Sequence, residues 1–440
     1  MTGTVETGRT LEHVFPNGKV FDGGPEWLRQ IREGASQRFA TVGYPTTRME
    51  EWKYTNVAPV ARTQFRPGEY RLDDSIIATI EKLKAGVDAI SLVFVNGKHC
   101  RQFSNLESLP GSLKVHSFSE ALERDGDRIQ RHLTRSFDDM PAFVAFNTAS
   151  FEDGAFIEVP AGLVLDRPVH LIFISASGGA PSICHPRNLI LVGDLAQASL
   201  IETYTGSEGD VYFTNAVTDI VAGEGSVVHH SKLQKESSRA FHIASLRFDQ
   251  SRQSNLTCYS FSFGGALVRN DIGSTLDEGA ESVLNGLYVV SGKQHVDHHT
   301  VIDHARPHAA SRELYKGVLD GHAGAVFNGK VIVRKDAQKT DAKQTNRNLL
   351  LSEEASIDTK PELQIYADDV RCTHGATIGQ LEESALFYLR SRGIGEREAR
   401  QILIHAFAHE IIGQIKPDDF RHELERELDV KLRGIRGDES

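Results

Sequence analysis

Gln197-Ala198-Ser199-Leu200, Gly225-Ser226-Val227-Val228, Gly279-Ala280-Glu281-Ser282-Val283 and Glu354-Ala355-Ser356-Ile357 are versions of one short pattern. In each, a small residue is followed closely by an apolar one, just after an acidic or glycine-bearing turn. Where consecutive copies are visible they lie roughly 25 to 30 residues apart, a period that signals stacked repeats. Around them run short apolar strands, clearest at 189–192, 226–229, 256–259, 287–290, 331–333 and 349–351. Gly, Asp, Asn and Ser separate these strands, and helical periodicity is almost absent from about 143 to 370. A repeat of this size cannot bury its own apolar face, so stacking must supply the core. The pattern therefore predicts an irregular β-helix or related solenoid, with a β-sandwich as the competing architecture.

Upstream the texture is mixed. Pro25-Glu26-Trp27-Leu28 opens a predicted helix whose Leu28, Ile31, Ala35 and Phe39 share one face and which stops before Gly43 and Pro45. Glu50-Glu51-Trp52-Lys53-Tyr54-Thr55 follows, and its Trp52 and Tyr54 are expected to pack on the chain's own surface. Ile76, Ile77, Ile80 and Leu83 predict a second helix. Ser91-Leu92-Val93-Phe94-Val95-Asn96-Gly97 reads as a strand entering a hairpin, because Asn-Gly tolerates positive φ. One further helix is expected over 118–133.

Beyond Gly375 the period changes to 3.6. Leu381, Ala385, Leu386 and Leu389 form a stripe closed by Gly393, behind Arg390 and Arg392. Ala399, Ile402, Leu403, Ala406, Phe407 and Ile411 predict an amphipathic helix, and Phe420, Leu424 and Leu428 a third after Pro417. The last residues are polar and are expected to fray. The chain thus divides into an N-terminal mixed α/β region (1–142), a β-helix core (143–377) and a C-terminal helical domain (378–440).

With 440 residues, 40% hydrophobic and 25% charged, the composition is that of a globular chain rather than a disordered or membrane-inserted one. A formal charge of -11 argues against a sequence-independent nucleic-acid binder, which normally carries a basic footprint. Cys100, Cys184, Cys258 and Cys372 lie far apart and form no CxxC pair, so a reducing compartment is expected. Met1 to Thr7 shows no basic segment with an apolar run behind it, and no stretch has the length to span a bilayer. A cytoplasmic location follows as an expectation.

Several motifs invite chemistry. Gly324-Ala325-Val326-Phe327-Asn328-Gly329-Lys330 satisfies the opening of a phosphate-binding loop, but Val331 stands where Ser or Thr would hold magnesium, and strand residues follow. A turn between solenoid strands is the better reading. His295, His298, His299, His304 and His308 crowd one segment with Asp297 and Asp303. In a strand His295, Asp297 and His299 share a face that could hold a transition metal, although a solvated or interface-lining strand better fits spacing that matches no dedicated metal motif. His409-Glu410 and His422-Glu423 begin like a zinc-protease motif but have Gly413 and Arg426 where its second His belongs.

The junction Ala367-Asp368-Asp369-Val370-Arg371-Cys372-Thr373-His374-Gly375-Ala376-Thr377 is different in kind. In an extended chain Cys372 and His374 point the same way. Asp368, Asp369, Arg371 and His374 surround the thiol, and nearby cationic groups would favour its thiolate. An iron-sulfur cluster generally needs four protein ligands, and no other Cys is near in sequence, so a cluster handled here would draw its remaining ligands from a partner chain.

These residues carry a family resemblance. Cys372-Thr373-His374-Gly375-Ala376-Thr377-Ile378-Gly379, followed by Leu386-Phe387-Tyr388-Leu389-Arg390-Ser391-Arg392-Gly393-Ile394, strongly resembles the SufD subunits of the SUF iron-sulfur cluster assembly scaffold. Glu50-Glu51-Trp52-Lys53-Tyr54-Thr55, Ser311-Arg312-Glu313-Leu314-Tyr315-Lys316-Gly317 and Gln338-Lys339-Thr340-Asp341-Ala342 match as well. The resemblance implies a central right-handed parallel β-helix between the mixed α/β region and the helical domain. It implies a heterodimer with SufB through the β-helices and binding of the ATPase SufC through the C-terminal helices, over about Leu381 to Leu428. A homodimer is possible for the chain in isolation. It further implies a non-catalytic scaffold, with a transient iron-sulfur cluster built at the SufB interface and passed to apo-proteins. His374 is the implied ligand and Cys372 a second candidate, with no cofactor tightly bound to the isolated chain. Two other classes compete: a stand-alone β-helix enzyme acting on carbohydrate, which would need paired carboxylates such as the 297–303 segment hints at, and a metal-free homodimeric scaffold.

Overall fold

In the computed structural model, which describes residues 24–107, 109–133 and 136–435, the repeat becomes a parallel β-solenoid of about eight turns. One sheet runs in order through Ala155–Val159, Arg187–Val192, Tyr212–Ala222, Phe241–Gln250, Leu267–Leu276, His295–His304, Gly324–Val333 and Ser356–Ile365. The other runs through Ile90–Val95, Val169–Ser175, Gln197–Gly206, Val227–Lys235, Asn255–Ser262, Glu281–Val290, Ala310–Leu319, Asp341–Leu350 and Arg371–Gly379. From Arg187 onward each residue pairs with one a full turn later, 26 positions at the shortest (Phe241 with Leu267) and 32 at the longest (Gly324 with Ser356). The expectations about Met1 to Thr7 and about the last few residues lie outside the described residues.

Strands of this length outrun the apolar runs that announced them. Alternate residues face the lumen, and Val228, Leu256, Leu284, Tyr288, Tyr315 and Phe327 belong to one continuous core. Two wholly buried rings enter space that only glycine leaves. A Cβ on Gly317 would lie 2.1 Å from the Tyr288 ring, and one on Gly286 would lie 2.2 Å from that of Tyr315.

The lumen also carries charge. Tyr204 Oη donates to Glu202 Oε2 at 2.7 Å, and His230 Nε2 lies 3.1 Å from Glu202 Oε1. Lys232 Nζ reaches Asn270 Oδ1 at 2.6 Å and His242 Nε2 at 2.8 Å, and His242 Nδ1 lies 2.7 Å from Glu236 Oε2. All of these side chains are buried, which is tolerable only because each charge has a partner.

The predicted flanks form with local changes. Helix Glu26–Val42 buries Leu28, Ile31, Ala35 and Phe39, and ends at Gly43 with φ of 63°. Helix Asp74–Ala85 buries Ile76, Ile80 and Leu83, and Asp73 caps it by accepting the Ile76 N–H at 3.0 Å. Asn96 and Gly97 take φ of 50° and 76°, closing the hairpin between Ile90–Val95 and Lys98–His99. The single helix expected over 118–133 is instead two, Phe118–Arg124 and Gly126–Leu133. Asp125 leaves the helical region at the break, where its carboxylate takes a 2.6 Å ion pair from Lys114, and Gly126 is a poor helix former.

Helices Glu396–Ile412 and Asp418–Gly434 lie on the outer face of the second sheet and share its core: Ile404, Ala408, Phe420 and Leu424 cluster with Phe261 and Leu287. Phe420, Leu424 and Leu428 are buried as the period required. Ile402 and Ala406 are exposed rather than buried. Apolar residues surround that helix almost completely, so the period could not select the face that the sheet takes. No helix among the described residues is long and apolar enough to cross a membrane.

The 50–55 segment fastens the N-terminal region onto the first sheet. Trp52 lies beneath the Arg269 guanidinium, 3.7 Å from ring centroid to Cζ. Arg269 Nη1 donates to the Glu51 carbonyl and to Asp297 Oδ2, both at 2.7 Å, and Thr55 Oγ1 donates to the same carboxylate oxygen at 2.5 Å. His299 lies 3.1 Å from Asp297 Oδ1 and 3.4 Å from Glu51 Oε2. Burial opposes charge on His299, but its bonds to Asp297 and Glu51 outweigh that and raise the ring to about 9. Glu51 is drawn down to about 2, chiefly by the His299 hydrogen bond.

Two outcomes are expected. Gly317→Ala forces the Tyr288 ring to move and costs on the order of 1–3 kcal/mol in denaturant unfolding, as overpacked cores do. The His299 contribution is fully present below the ordinary value of 6.5 and is lost as pH rises through about 9. That of Glu51 is present above 4.5 and is lost as pH falls toward about 2. Thermal unfolding of the wild type should therefore weaken as pH rises through about 9, and His299→Gln should flatten that decline.

Candidate functional site

Among the described residues no strand follows the last rung of the solenoid. Arg371–Gly379 pairs only with Asp341–Leu350 among the described residues, and Ser356–Ile365 only with Gly324–Val333, so each is the edge strand of its sheet. An edge leaves a row of backbone N–H and C=O groups unpaired. Apolar side chains accompany it: Tyr366 is 64% exposed and Ile378 50%.

His374 and Cys372 stand in this last rung. In register, Cys372 lies over Ala342 and His374 over Gln344. Ala342, Gln344, Asn346 and Asn348 are buried and alternate with Lys343, Thr345 and Arg347, so the Cys372 and His374 positions continue the lumen-facing columns. Cys372 is half-buried against the core, and His374 is exposed. The structure thus brings the two residues together on one strand face at the mouth of the lumen.

The thiolate expectation is overturned. Burial, reinforced by the Asp341 charge, pushes the Cys372 thiol above its usual value, while the Ala342 backbone hydrogen bond pulls the other way. Of the surrounding carboxylates, Asp369 pairs with Lys339 across the turn. Two side chains together fall short of a full ligand set. Among the described residues no group of three or more His, Cys, Asp or Glu is disposed to hold a metal ion.

Other candidates are placed differently. Gly324–Val333 is a solenoid strand with no helix after it. His295, Asp297 and His299 do share a face, but the 50–55 segment covers it and takes their polar atoms: Thr55 Oγ1 lies 3.0 Å from His295 Nε2. The paired carboxylates that a carbohydrate enzyme would need do not form there, because Asp297 pairs with Arg269 and Asp303 with Arg334. Cys100, Cys184 and Cys258 are buried, and burial pushes the Cys184 thiol up to about 11.

Sequence reasoning missed the polar column beneath the last rung. Glu313 and Gln344 are buried there, and Gln344 Nε2 donates to Glu313 Oε2 at 2.7 Å. Burial pushes the Glu313 carboxyl up to about 7, against the pull of Thr300 and Gln344. The available signal was the run Gln344-Thr345-Asn346-Arg347-Asn348, a strand with no apolar face once the repeat register is imposed.

Comparison with known proteins agrees with this geometry. The family model for the SUF system FeS cluster assembly SufBD core domain matches residues 173–407, and that for the SufBD protein N-terminal region matches residues 17–171. An iron-sulfur cluster assembly SufBD family protein of Synechocystis sp. is 36% identical over 394 residues, covering 87% of this chain and 86% of its own. The iron-sulfur cluster assembly protein SufD of Escherichia coli is 30% identical over 403 residues, covering 90% and 92%. The SufD of Bacillus subtilis is 23% identical over 429 residues, covering 93% and 95%. With a solenoid that ends on edge strands, a Cys-x-His pair on its last strand and matches along nearly its whole length, the chain belongs to the SufBD family of iron-sulfur cluster assembly proteins, as a SufD-like subunit.

Proposed function

We propose that this chain is the SufD-type half of a cluster-building interface, which pairs with a SufB-type solenoid at its open end. The observation that carries the reading is the last rung, whose outer edge meets no strand among the described residues, with His374 and Cys372 at the mouth of the lumen. A second solenoid would satisfy the edge strands by laying its own edge strands against them, which is β-augmentation on the scale of a domain. Iron and sulfur are cargo in this scheme. His374 supplies an imidazole nitrogen to the nascent cluster, Cys372 lies beside it, and the partner supplies the remaining ligands. A cluster held by few and mixed ligands is easily passed to an apo-protein.

The chain acts as a non-catalytic scaffold, and ATP hydrolysis belongs to a SufC-type partner. Helix Glu383–Ser391 supports that docking role, since none of its residues is buried and Phe387 and Tyr388 are 74% and 56% exposed. The neighbouring helix Glu396–Ile412 turns one face to the sheet and leaves Ile402 outward. Four unpaired cysteines suit a reducing cytoplasm.

Co-expression with SufB- and SufC-type partners should yield a complex that copurifies; a folded chain that stays alone contradicts the reading. Within that complex His374→Ala should leave assembly intact and reduce visible absorbance after cluster reconstitution, whereas Cys258→Ala should change neither. Equal absorbance from wild type and His374→Ala removes His374 from the site. Phe387→Ser with Tyr388→Ser should cost the complex its ATPase subunit on size exclusion while the solenoid pair persists.

A further inference from the structure

His374 does not stand alone in its column. It lies in register over Gln344, and Gln344 over Glu313, so the three are successive steps of one lumen-facing stack. The lower two are sealed, Gln344 being 1% exposed and Glu313 3%. Gln344 directs its amide N–H toward Glu313 Oε2, which accepts it from below at 2.7 Å. The facing sheet leaves room for the amide at Gly329, where a Cβ would lie 2.0 Å from Gln344 Nε2.

The other end of the amide is unmet. Gln344 Oε1 is buried and has no hydrogen-bond partner among the described residues. A buried acceptor in that state is costly and rare in a native core. Amides stacked between parallel strands pass N–H to oxygen from one rung to the next, about 4.8 Å apart. The next rung in this stack offers one side chain with an N–H, the imidazole of His374.

We propose that Gln344 is the positioning residue for His374: its Oε1 accepts the N–H of one ring nitrogen and leaves the lone pair of the other directed out of the lumen toward iron. The inference deepens the reading of His374 as a ligand and rests on it. Its logic is that of metal sites generally, where the second nitrogen of a ligating imidazole is held by an acceptor that sets the tautomer and ring orientation. Glu313 acts one step further back by accepting the amide N–H, which leaves Oε1 for the last rung.

The test uses the full complex with its SufB- and SufC-type partners, titrated anaerobically with iron(II) alone and then reconstituted. Gln344→Met keeps length and removes the acceptor; Gln344→Asn keeps the amide and withdraws it by one methylene; Gln344→Glu keeps an acceptor oxygen in place. Iron(II) affinity should fall on the order of 10-fold in the first two, the scale of lost outer-shell contacts, and should stay near wild type in Gln344→Glu. Should Gln344→Met fail to assemble, the contrast between Asn and Glu decides. Equal affinity in all assembled variants, or equal loss in Glu and Asn, overturns the proposal. His374→Ala separates the two levels. If it lowers affinity while Gln344→Asn does not, only the positioning role fails; if His374→Ala itself has no effect, the ligand reading fails with it.

Discussion

A parallel ladder satisfies each strand with the next one, and a solenoid repeats that arrangement turn after turn. Every interior rung of this protein has a neighbour on both sides. The last has one on a single side: among the described residues Arg371–Gly379 and Ser356–Ile365 meet the preceding strands on one edge and no strand on the other. Most soluble proteins blunt such an edge with charge, proline or a covering element. Here helices Glu396–Ile412 and Asp418–Gly434 lie along the outer face of the second sheet. Cys372 and His374 occupy the last rung.

The lumen beneath that rung is not uniformly apolar, and this bears on how the end is held. Glu202, His230, Lys232, Glu236 and His242 are buried and linked to one another or to nearby amides and hydroxyls. Buried charge of this kind is weak support for stability, because desolvation offsets most of the attraction. It does restrict register. A turn slipped by one residue would place charges without partners in a dry interior, a heavier penalty than a slipped apolar contact. Correct stacking of the interior therefore delivers Glu313, Gln344 and His374 to one column.

Much of this was legible in the sequence. The small-apolar pattern near each turn revealed the repeat, because the geometry of a solenoid corner recurs even when strand sequences do not. Leu28, Ile31, Ala35 and Phe39 declared their helix through a clean period, and Asn96-Gly97 declared its turn through left-handed backbone. The Cys372 and His374 spacing placed both on one strand face. What escaped depended on tertiary context. The strand Asp341–Leu350 has polar residues on both faces, so no hydrophobic alternation marked it. Helix Glu396–Ile412 is apolar nearly all round, so its buried side waited on the sheet. The thiolate expectation for Cys372 counted charges near in sequence, and the fold pairs Lys339 with Asp369 while bringing Asp341 and partial burial to the thiol. The histidines of 295–299 gave a correct face and an uncovered reading of it, because the segment that covers them lies some 240 residues earlier, as the Thr55 contact with His295 shows.

The central claim is that the last rung is completed by another solenoid. Backbone hydrogen exchange across Arg371–Gly379 tests it most directly, measured on the chain alone and after mixing with a SufB-type partner. The outward-facing amides of this strand meet no neighbouring strand among the described residues and should exchange rapidly in the chain alone, then become strongly protected in the complex. Unchanged exchange in this strand when the partner is bound would contradict the account.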